Sequence, residues 1–377
     1  MSRVTVVVNR HGTASETFQR TLAAELAAGG HTVTMHALRS APSDPLPAEP
    51  VAASHALASL GRPAALAAGL AHVAPRDLAA MTARARTRFG LGRRGRLAAA
   101  VAAPIHATRP DVVHIGFSGI GVAIADALDL LDDVSVVVSC RGSDELVGPV
   151  LDPDRREPLR RLYERATVIH AVADAVADAV VEIGADPAKI RVIRPAVDLA
   201  AWEQRAAEPL GPPWQLVTVT RLVGAKGVED LIAALAIVVD AGLDVHLRIV
   251  GDGPGRGALQ LRVARSGLGD RVHLVGSCSP DEVRAEVSAA HVFVSASLSE
   301  GINNGVLEAM ALGVAVVATW VMTAPLVFWT ESPAAYLDGS LVGAIIFGLA
   351  VCTRPAPGVG TMAAVTGPTI PKGWDYS

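Results

Sequence analysis

Three short segments in the second half of the chain carry side chains that could hold a charged ligand. Arg221-Leu-Val-Gly-Ala-Lys226-Gly227 sets an arginine and a lysine beside a glycine able to open a helix. A guanidinium forks onto paired oxygens and an ammonium acts as a point charge, so this loop suits a diphosphate. Two solvated cations on a surface loop are the plainer reading. Gly251-Asp-Gly-Pro-Gly255 offers glycines that let backbone approach a nucleotide, with a helix start behind them that favours anions. Similar Gly-Pro turns occur at strand ends in any α/β protein. The third segment, Ser299-Glu300-Gly301-Ile-Asn303-Asn304-Gly305-Val-Leu-Glu308, puts a carboxylate on each side of a helix N-terminus whose first N–H groups lack partners. A phosphate could sit on those N–H groups while Glu300 and Glu308 accept hydrogens from sugar hydroxyls. A capping Glu followed by a helix-surface Glu has the same spacing.

These loops need strands to position them, and the hydrophobic pattern supplies them. Val4 to Val8 reads as a first strand. Thr13 and Glu16 then have capping-box spacing for a helix that runs to a Gly29-Gly30 stop, before a second strand at His31 to His36. Strand, helix, strand in that order implies a parallel sheet with right-handed crossovers. From about 51 to 107 the pattern is Ala-rich and helical, with arginines at 84, 86, 88, 93, 94 and 96. Further strands are predicted at Asp111 to His114, Val134 to Ser139, Val168 to Ala171 and Ile190 to Ile193. Residues 203 to 213 end in Gly-Pro-Pro and serve as a linker. Beyond it, strands are predicted at Gln215 to Thr220, Val245 to Val250, Val272 to Val275, His291 to Ser295 and Ala315 to Ala318. Helices start near Gly227, Gly255, Pro280 and Gly305. The expected architecture is two Rossmann-like doubly wound α/β domains, 1–202 and 214–319, facing across a cleft, with ligands beyond the carboxyl ends of the strands.

The run from Arg221 to Thr319 resembles the donor domain of glycosyltransferase family 4, retaining enzymes of the GT-B fold. The pieces that carry the likeness are Arg221 with Lys226-Gly227, Val250-Gly251-Asp-Gly-Pro254, and the pair Glu300 and Glu308 eight residues apart within Glu300-Gly301 through Ala311, with Gly313. The resemblance implies that Arg221 and Lys226 neutralise a donor diphosphate, Glu300 holds hydroxyls of the transferred sugar and Glu308 those of the ribose. Gly251 and the backbone of Asn303, Asn304 and Gly305 would lie against the donor. The N-terminal half is similar in Ser15-Glu16-Thr17-Phe18, in Arg141-Gly-Ser-Asp144, and in the exit Lys189 to Asp198. It would hold the acceptor, with Gly12 approaching the donor and His114, Arg141 and Asp144 on the acceptor side. Many relatives carry a His where this chain has Arg141.

After Thr319 the likeness ends. Residues 320–377 hold 7 of the 14 aromatics and 3 of the 5 tryptophans but only 5 charged residues, an abrupt loss of charge for a solvent-facing helical cap. The hypothesis for this tail is a frame change or truncation that leaves the C-terminal domain incomplete. Sequencing the source gene across codon 319 checks it, and family-like relatives sharing the tail would overturn it.

The remaining composition sets limits. A formal charge of −4 argues against bulk binding of nucleic acid. Three cysteines, Cys140, Cys278 and Cys352, have neither metal spacing nor a disulfide framework, as expected in a reducing compartment. With no signal peptide ahead of the first strand and no apolar run of about 20 residues, a cytoplasmic protein is expected. The six arginines could dock on anionic lipid, which would suit a lipid-linked acceptor, or form a solvated basic face. The expected reaction moves a sugar from a nucleoside diphosphate to the hydroxyl of a sugar, lipid-linked or other small acceptor, with retained configuration and no metal or cofactor. The rivals are an epimerase or phosphorylase on the same scaffold, or an inactive sugar-nucleotide-binding protein. A nicotinamide dehydrogenase is disfavoured, because no Gly-x-Gly-x-x-Gly follows the first strand.

Overall fold

The computed structural model describes residues 1–9, 17–38, 51–54, 70, 73–90, 92–197, 199, 202, 211–298 and 300–318. The expectations for Gly12, for the helix start at Thr13 to Glu16, for most of the linker and for the tail 320–377 lie outside these residues. The chain divides into two compact units after Pro195.

The first unit is a seven-stranded parallel sheet with helices on both faces. Its elements are β1 (Arg3–Val8), α1 (Thr17–Ala28), β2 (Thr32–Ala37), β3 (Ala52–Ser54), α2 (Pro75–Phe89), α3 (Arg93–Ala107) and β4 (Val112–Ile115), then α4 (Ser118–Ala123), α5 (Ala125–Leu128) and β5 (Ser135–Cys140). A π-helical turn, Ser143–Val147, leads into α6 (Gly148–Leu151), α7 (Arg156–Arg165), β6 (Val168–Ala171), α8 (Asp174–Ile183) and β7 (Ile190–Val192). The strand order is β3-β2-β1-β4-β5-β6-β7, so the chain reverses its winding between β1 and β4. One face buries Val4, Val6, Val33 and Met35 with Ala23 of α1. The other buries Val7, Val113, Ile115, Val136 and Ile169 under Ile105, Leu128, Leu162 and Val180. Ala52–Ser54 differs from the helix predicted from 51 onward. It pairs with β2 at the sheet edge, where neighbours rather than intrinsic preference decide the conformation.

The second unit is a five-stranded parallel sheet, β10-β9-β8-β11-β12. It contains β8 (Trp214–Val219), α9 (Val228–Asp240), β9 (Val245–Val250), α10 (Arg256–Arg265), β10 (Val272–Gly276), α11 (Pro280–Ser288), β11 (Val292–Ser295), α12 (Asn304–Ala311) and β12 (Ala315–Ala318). Alternate residues of one strand serve opposite cores: Leu216, Val292 and Val294 lie with Leu231 and Leu235 of α9, while Val217 and Phe293 lie with Val287 and Ala309. Helix starts are written locally. Ser279 Oγ accepts from the Glu282 N–H at 3.3 Å, and the Glu282 carboxylate accepts from the Ser279 N–H at 2.7 Å, ahead of Pro280 at the first helical position. The winding reverses between β8 and β11, which brings the loops after these two strands side by side. Among the described residues no helix is long and apolar enough to cross a membrane.

Candidate functional site

In the second unit, the loops after β8, β9 and β11 form one interlocked surface, and glycines make this possible. Gly227 sits at φ +60, and a Cβ there would fall 2.1 Å from the Ala296 carbonyl oxygen. Gly251, at φ +130, would put a Cβ 1.9 Å from the Thr220 oxygen, and Gly253 would put one 2.6 Å from that of Leu222. Backbone bonds complete the lock: Leu222 N–H to Asp252 O at 3.0 Å, Gly255 N–H to Leu222 O at 2.9 Å and Leu298 N–H to Ala225 O at 2.9 Å. Sequence reasoning assigned the Gly251 turn to ligand approach. The glycines at 251 and 253 also make room for the neighbouring loop.

On this surface Lys226 Nζ donates to Glu300 Oε1 at 2.6 Å, with both side chains about 15% exposed. Glu300 Oε1 also lies 3.4 Å from Asn303 Nδ2, which donates to Ser295 Oγ at 2.9 Å. Asn303 caps α12, its Oδ1 accepting from the Val306 N–H at 3.4 Å. The role of Asn303 is therefore to fix the helix start and steer Glu300. Asn304 and Gly305 are the first two residues of α12, in the turn whose N–H groups have no partner within the helix. A Cβ at Gly305 would meet the Phe293 ring at 2.9 Å. Arg221 is exposed, with no ion pair or hydrogen bond from its guanidinium among the described residues. Glu308 lies in the second turn of α12, and burial pushes its carboxyl up to about 7. The structure thus joins Lys226, Glu300 and Asn303 directly and sets Glu308 on the same helix.

The first unit carries a second polar cluster at the carboxyl ends of β4, β5 and β6. His114 Nε2 lies 3.0 Å from Ser139 Oγ, which lies 2.9 Å from His170 Nδ1, and His170 Nε2 lies 2.8 Å from the Ile193 carbonyl oxygen. The carbonyl can only accept, so a neutral His170 carries its hydrogen on Nε2 and accepts at Nδ1. Ser139 then donates to His170 and accepts from His114 Nε2–H, which leaves His114 Nδ1 as a bare lone pair. Nδ1 is buried and has no partner among the described residues. Burial, then the charges of His170 and Arg141, hold His114 down at about 4, so it stays neutral. Ser139 and His170 were missed by sequence reasoning. Their signal was a polar residue inside otherwise apolar strands, Ser135-Val-Val-Val-Ser139-Cys and Val168-Ile-His170-Ala.

Arg141 follows β5 and stacks on Phe18, its guanidinium carbon 3.5 Å from the ring centroid. Asp144, expected on the acceptor side, has two partners within the unit. One oxygen accepts from the Gly119 N–H at 2.8 Å and the other from Arg155 at 3.1 Å, so it secures the start of α4. Three of the six arginines in the cluster meet aspartates. Arg88 meets Asp129 at 3.1 Å, Arg94 meets Asp126 at 2.6 Å, and Arg84 lies 3.5 Å from Asp132.

Comparison with known proteins accords with this layout. The family model described as Glycosyltransferase Family 4 matches residues 15–201, and the one described as Glycosyl transferases group 1 matches residues 214–332. The second match runs past Thr319, where the sequence reading ended the likeness. The amylovoran biosynthesis glycosyltransferase AmsK of Erwinia amylovora is 27% identical over 273 residues, 69% of this chain and 66% of that one. The 2-deoxystreptamine glucosyltransferase of Streptomyces kanamyceticus is 31% identical over 185 residues, 46% of this chain and 47% of that one. The WcaL protein of Salmonella typhimurium is 28% identical over 246 residues, 62% of this chain and 59% of that one. The chain spans less than two thirds of the length of each of these relatives. Among solved structures, sucrose-phosphate synthase from Thermosynechococcus elongatus aligns with a TM-score of 0.69 at 19% identity, over 93% of this chain and 90% of that one. Anabaena HepE, solved with UDP and glucose, aligns with a TM-score of 0.63 at 17% identity, over 93% and 92%. With its two parallel-sheet units of the GT-B type, each matched in order by a model of its own, the chain belongs to glycosyltransferase family 4.

Proposed function

We propose that this chain transfers a sugar from a nucleoside-diphosphate donor to an acceptor hydroxyl in glycan or polysaccharide assembly, with retention at the anomeric carbon. The observation that carries the reading is the Lys226–Glu300 pair at the point where the second sheet reverses its winding. An ammonium has three hydrogens, and Glu300 takes one, so Lys226 can reach a diphosphate oxygen without leaving its partner. Arg221, exposed on the same loop and unpaired among the described residues, adds a fork for the second phosphate. Glu308 accepts from ribose hydroxyls once ionised, and the first turn of α12 meets the phosphate or sugar. In the transfer, the bond from the anomeric carbon to the phosphate oxygen breaks and a bond to the acceptor oxygen forms on the same face. The acceptor proton passes to the departing phosphate, whose charge Arg221 and Lys226 stabilise.

That AmsK is named an amylovoran biosynthesis glycosyltransferase supports the transferase reading, and that HepE was solved with UDP and glucose supports a sugar-nucleotide donor. Incubation with UDP-, GDP- and ADP-sugars and a panel of acceptors, with products read by mass spectrometry, tests the reading. Binding of a nucleoside diphosphate without any turnover would instead favour an inactive binder. Contact with anionic lipid through Arg84 to Arg96 is the lesser reading, since Asp126, Asp129 and Asp132 offset three of the six charges.

A further inference from the structure

A buried arginine ordinarily faces a carboxylate, and Arg141 does not. It is half-buried, and burial alone pulls it down to about 10, with no acid contributing. Among the described residues its guanidinium makes no ion pair and no hydrogen bond. Removing a cation from water without a partner is costly, and stacking on one phenyl ring returns only about 1–2 kcal/mol. Stacking on Phe18 engages the flat face of the guanidinium. The edge, with its five N–H donors, is left for oxygen acceptors in the plane, the geometry that takes a carboxylate or phosphate in a fork. The two imidazoles that feel its charge, His114 and His170, are lowered first by burial, and an imidazole carries no negative charge to offset a guanidinium.

Two polar side chains near it also carry atoms without partners among the described residues. Gln19 is fully buried, yet neither its amide oxygen nor its amide nitrogen has a partner. Its amide lies against Gly116, where a Cβ would fall 2.3 Å away. Phe18, beside it in α1, meets Phe117 edge to face at 5.6 Å. His114 Nδ1 is the bare lone pair derived above, an acceptor for a hydroxyl hydrogen. One end of the sheet therefore gathers a cationic fork, an amide and a hydroxyl acceptor, all without protein partners among the described residues.

We infer that this cluster receives an anionic sugar, its carboxylate or phosphate ester held by the free edge of Arg141. The inference rests on the transferase reading, of which it specifies the acceptor. The chemistry shared by the two sources is a hydroxylated anion: a uronic acid in one case, a sugar phosphate in the other.

The test is ligand-observed saturation-transfer NMR on the full chain, with the donor loops first saturated by whichever of UDP, GDP or ADP binds. D-glucuronate, glucose 6-phosphate and glucose are the probes. At least one anion is expected to bind and glucose to bind at least tenfold more weakly. Glucuronate alone would name a carboxylate acceptor, and glucose 6-phosphate alone a phosphate ester. Arg141→Gln is expected to weaken the anion roughly ten- to a hundredfold, and Arg141→Lys to restore part of it. Equal binding of anion and glucose by the wild type, no binding of either anion, or anion binding unchanged in Arg141→Gln would each overturn the inference. If Arg141→Gln does not fold, the wild-type comparison of charged with neutral sugars decides alone. A wild type that binds no nucleoside diphosphate sinks the transferase reading; one that binds a diphosphate and ignores both anions sinks only this one.

Discussion

Glu308→Gln should make the protein more stable in alkali while weakening its hold on a nucleotide. In the folded chain the carboxyl is raised from 4.5 to about 7 because burial penalises the charged form. A group raised in this way contributes its stability below the unfolded value, and loses it as pH climbs through the folded one. Linkage between those two values gives a cost of about 1.4 kcal/mol at pH 5.5 and about 3 kcal/mol at pH 8. Glutamine has no proton to lose, so the benefit of the substitution should grow by about 2 kcal/mol between the two pH values. Any fixed packing difference cancels in that comparison. Urea unfolding of both proteins at pH 5.5 and 8 reads it directly, and a midpoint temperature should move by roughly 2–4 °C per kcal/mol. Nucleoside-diphosphate affinity should meanwhile rise with pH through 7 in the wild type, as the carboxylate becomes available to ribose hydroxyls, and stay flat in Glu308→Gln. A pH-independent stability difference between the two proteins would refute the burial argument. A variant that keeps wild-type nucleotide affinity would refute the ribose role.

Four other outcomes are expected. Lys226→Met should abolish turnover and cost about 1–3 kcal/mol of stability by leaving Glu300 with only the Asn303 amide; unchanged diphosphate affinity by calorimetry would remove the lysine from the site. Gly227→Ala should destabilise by about 2 kcal/mol or more, because the new methyl meets the Ala296 carbonyl at a positive φ, and a wild-type melting curve would contradict that packing. Product analysis by proton NMR should show the donor's anomeric configuration preserved, with activity surviving EDTA; inversion or loss with chelator would each rule out the proposed step. Vesicles rich in anionic lipid should not bind the protein at physiological salt, and tight binding lost on neutralising Arg84, Arg88 and Arg94 would restore the membrane reading.

Most strands were readable because buried parallel strands appear as short Val, Ile and Leu runs between glycines. Those at Val168–Ala171, Val245–Val250 and Ala315–Ala318 coincide with the expected spans, and the other predicted strands shift by one residue at one or both ends. β3 was not readable, since Ala52-Ala-Ser54 becomes a strand only by pairing with β2. Of the site, residue types and the strand-end placement of Lys226 and Glu300 were legible, and their contact was not. They lie 74 residues apart in the chain, and sheet order alone brings them together. The same holds for Arg141 and Asp144. Whether a charge is satisfied depends on partners from distant segments: Arg155 supplies one for Asp144, and no described acid does so for Arg141.

The glycine-locked loops of the second unit also limit how this surface can change. Gly227, Gly251 and Gly253 each leave room for the backbone of a neighbouring loop, so an insertion in one loop would dislodge the other two. Loop length is then not an independent variable, and grafting a single loop from a relative should fail where grafting all three together succeeds. On the proposed reading, variation in ligand choice would fall to side chains that leave the locked backbone, such as Asp252 and Leu298. A surface whose main chain is held this firmly loses little freedom when a ligand arrives, so affinity there responds mainly to the groups displayed.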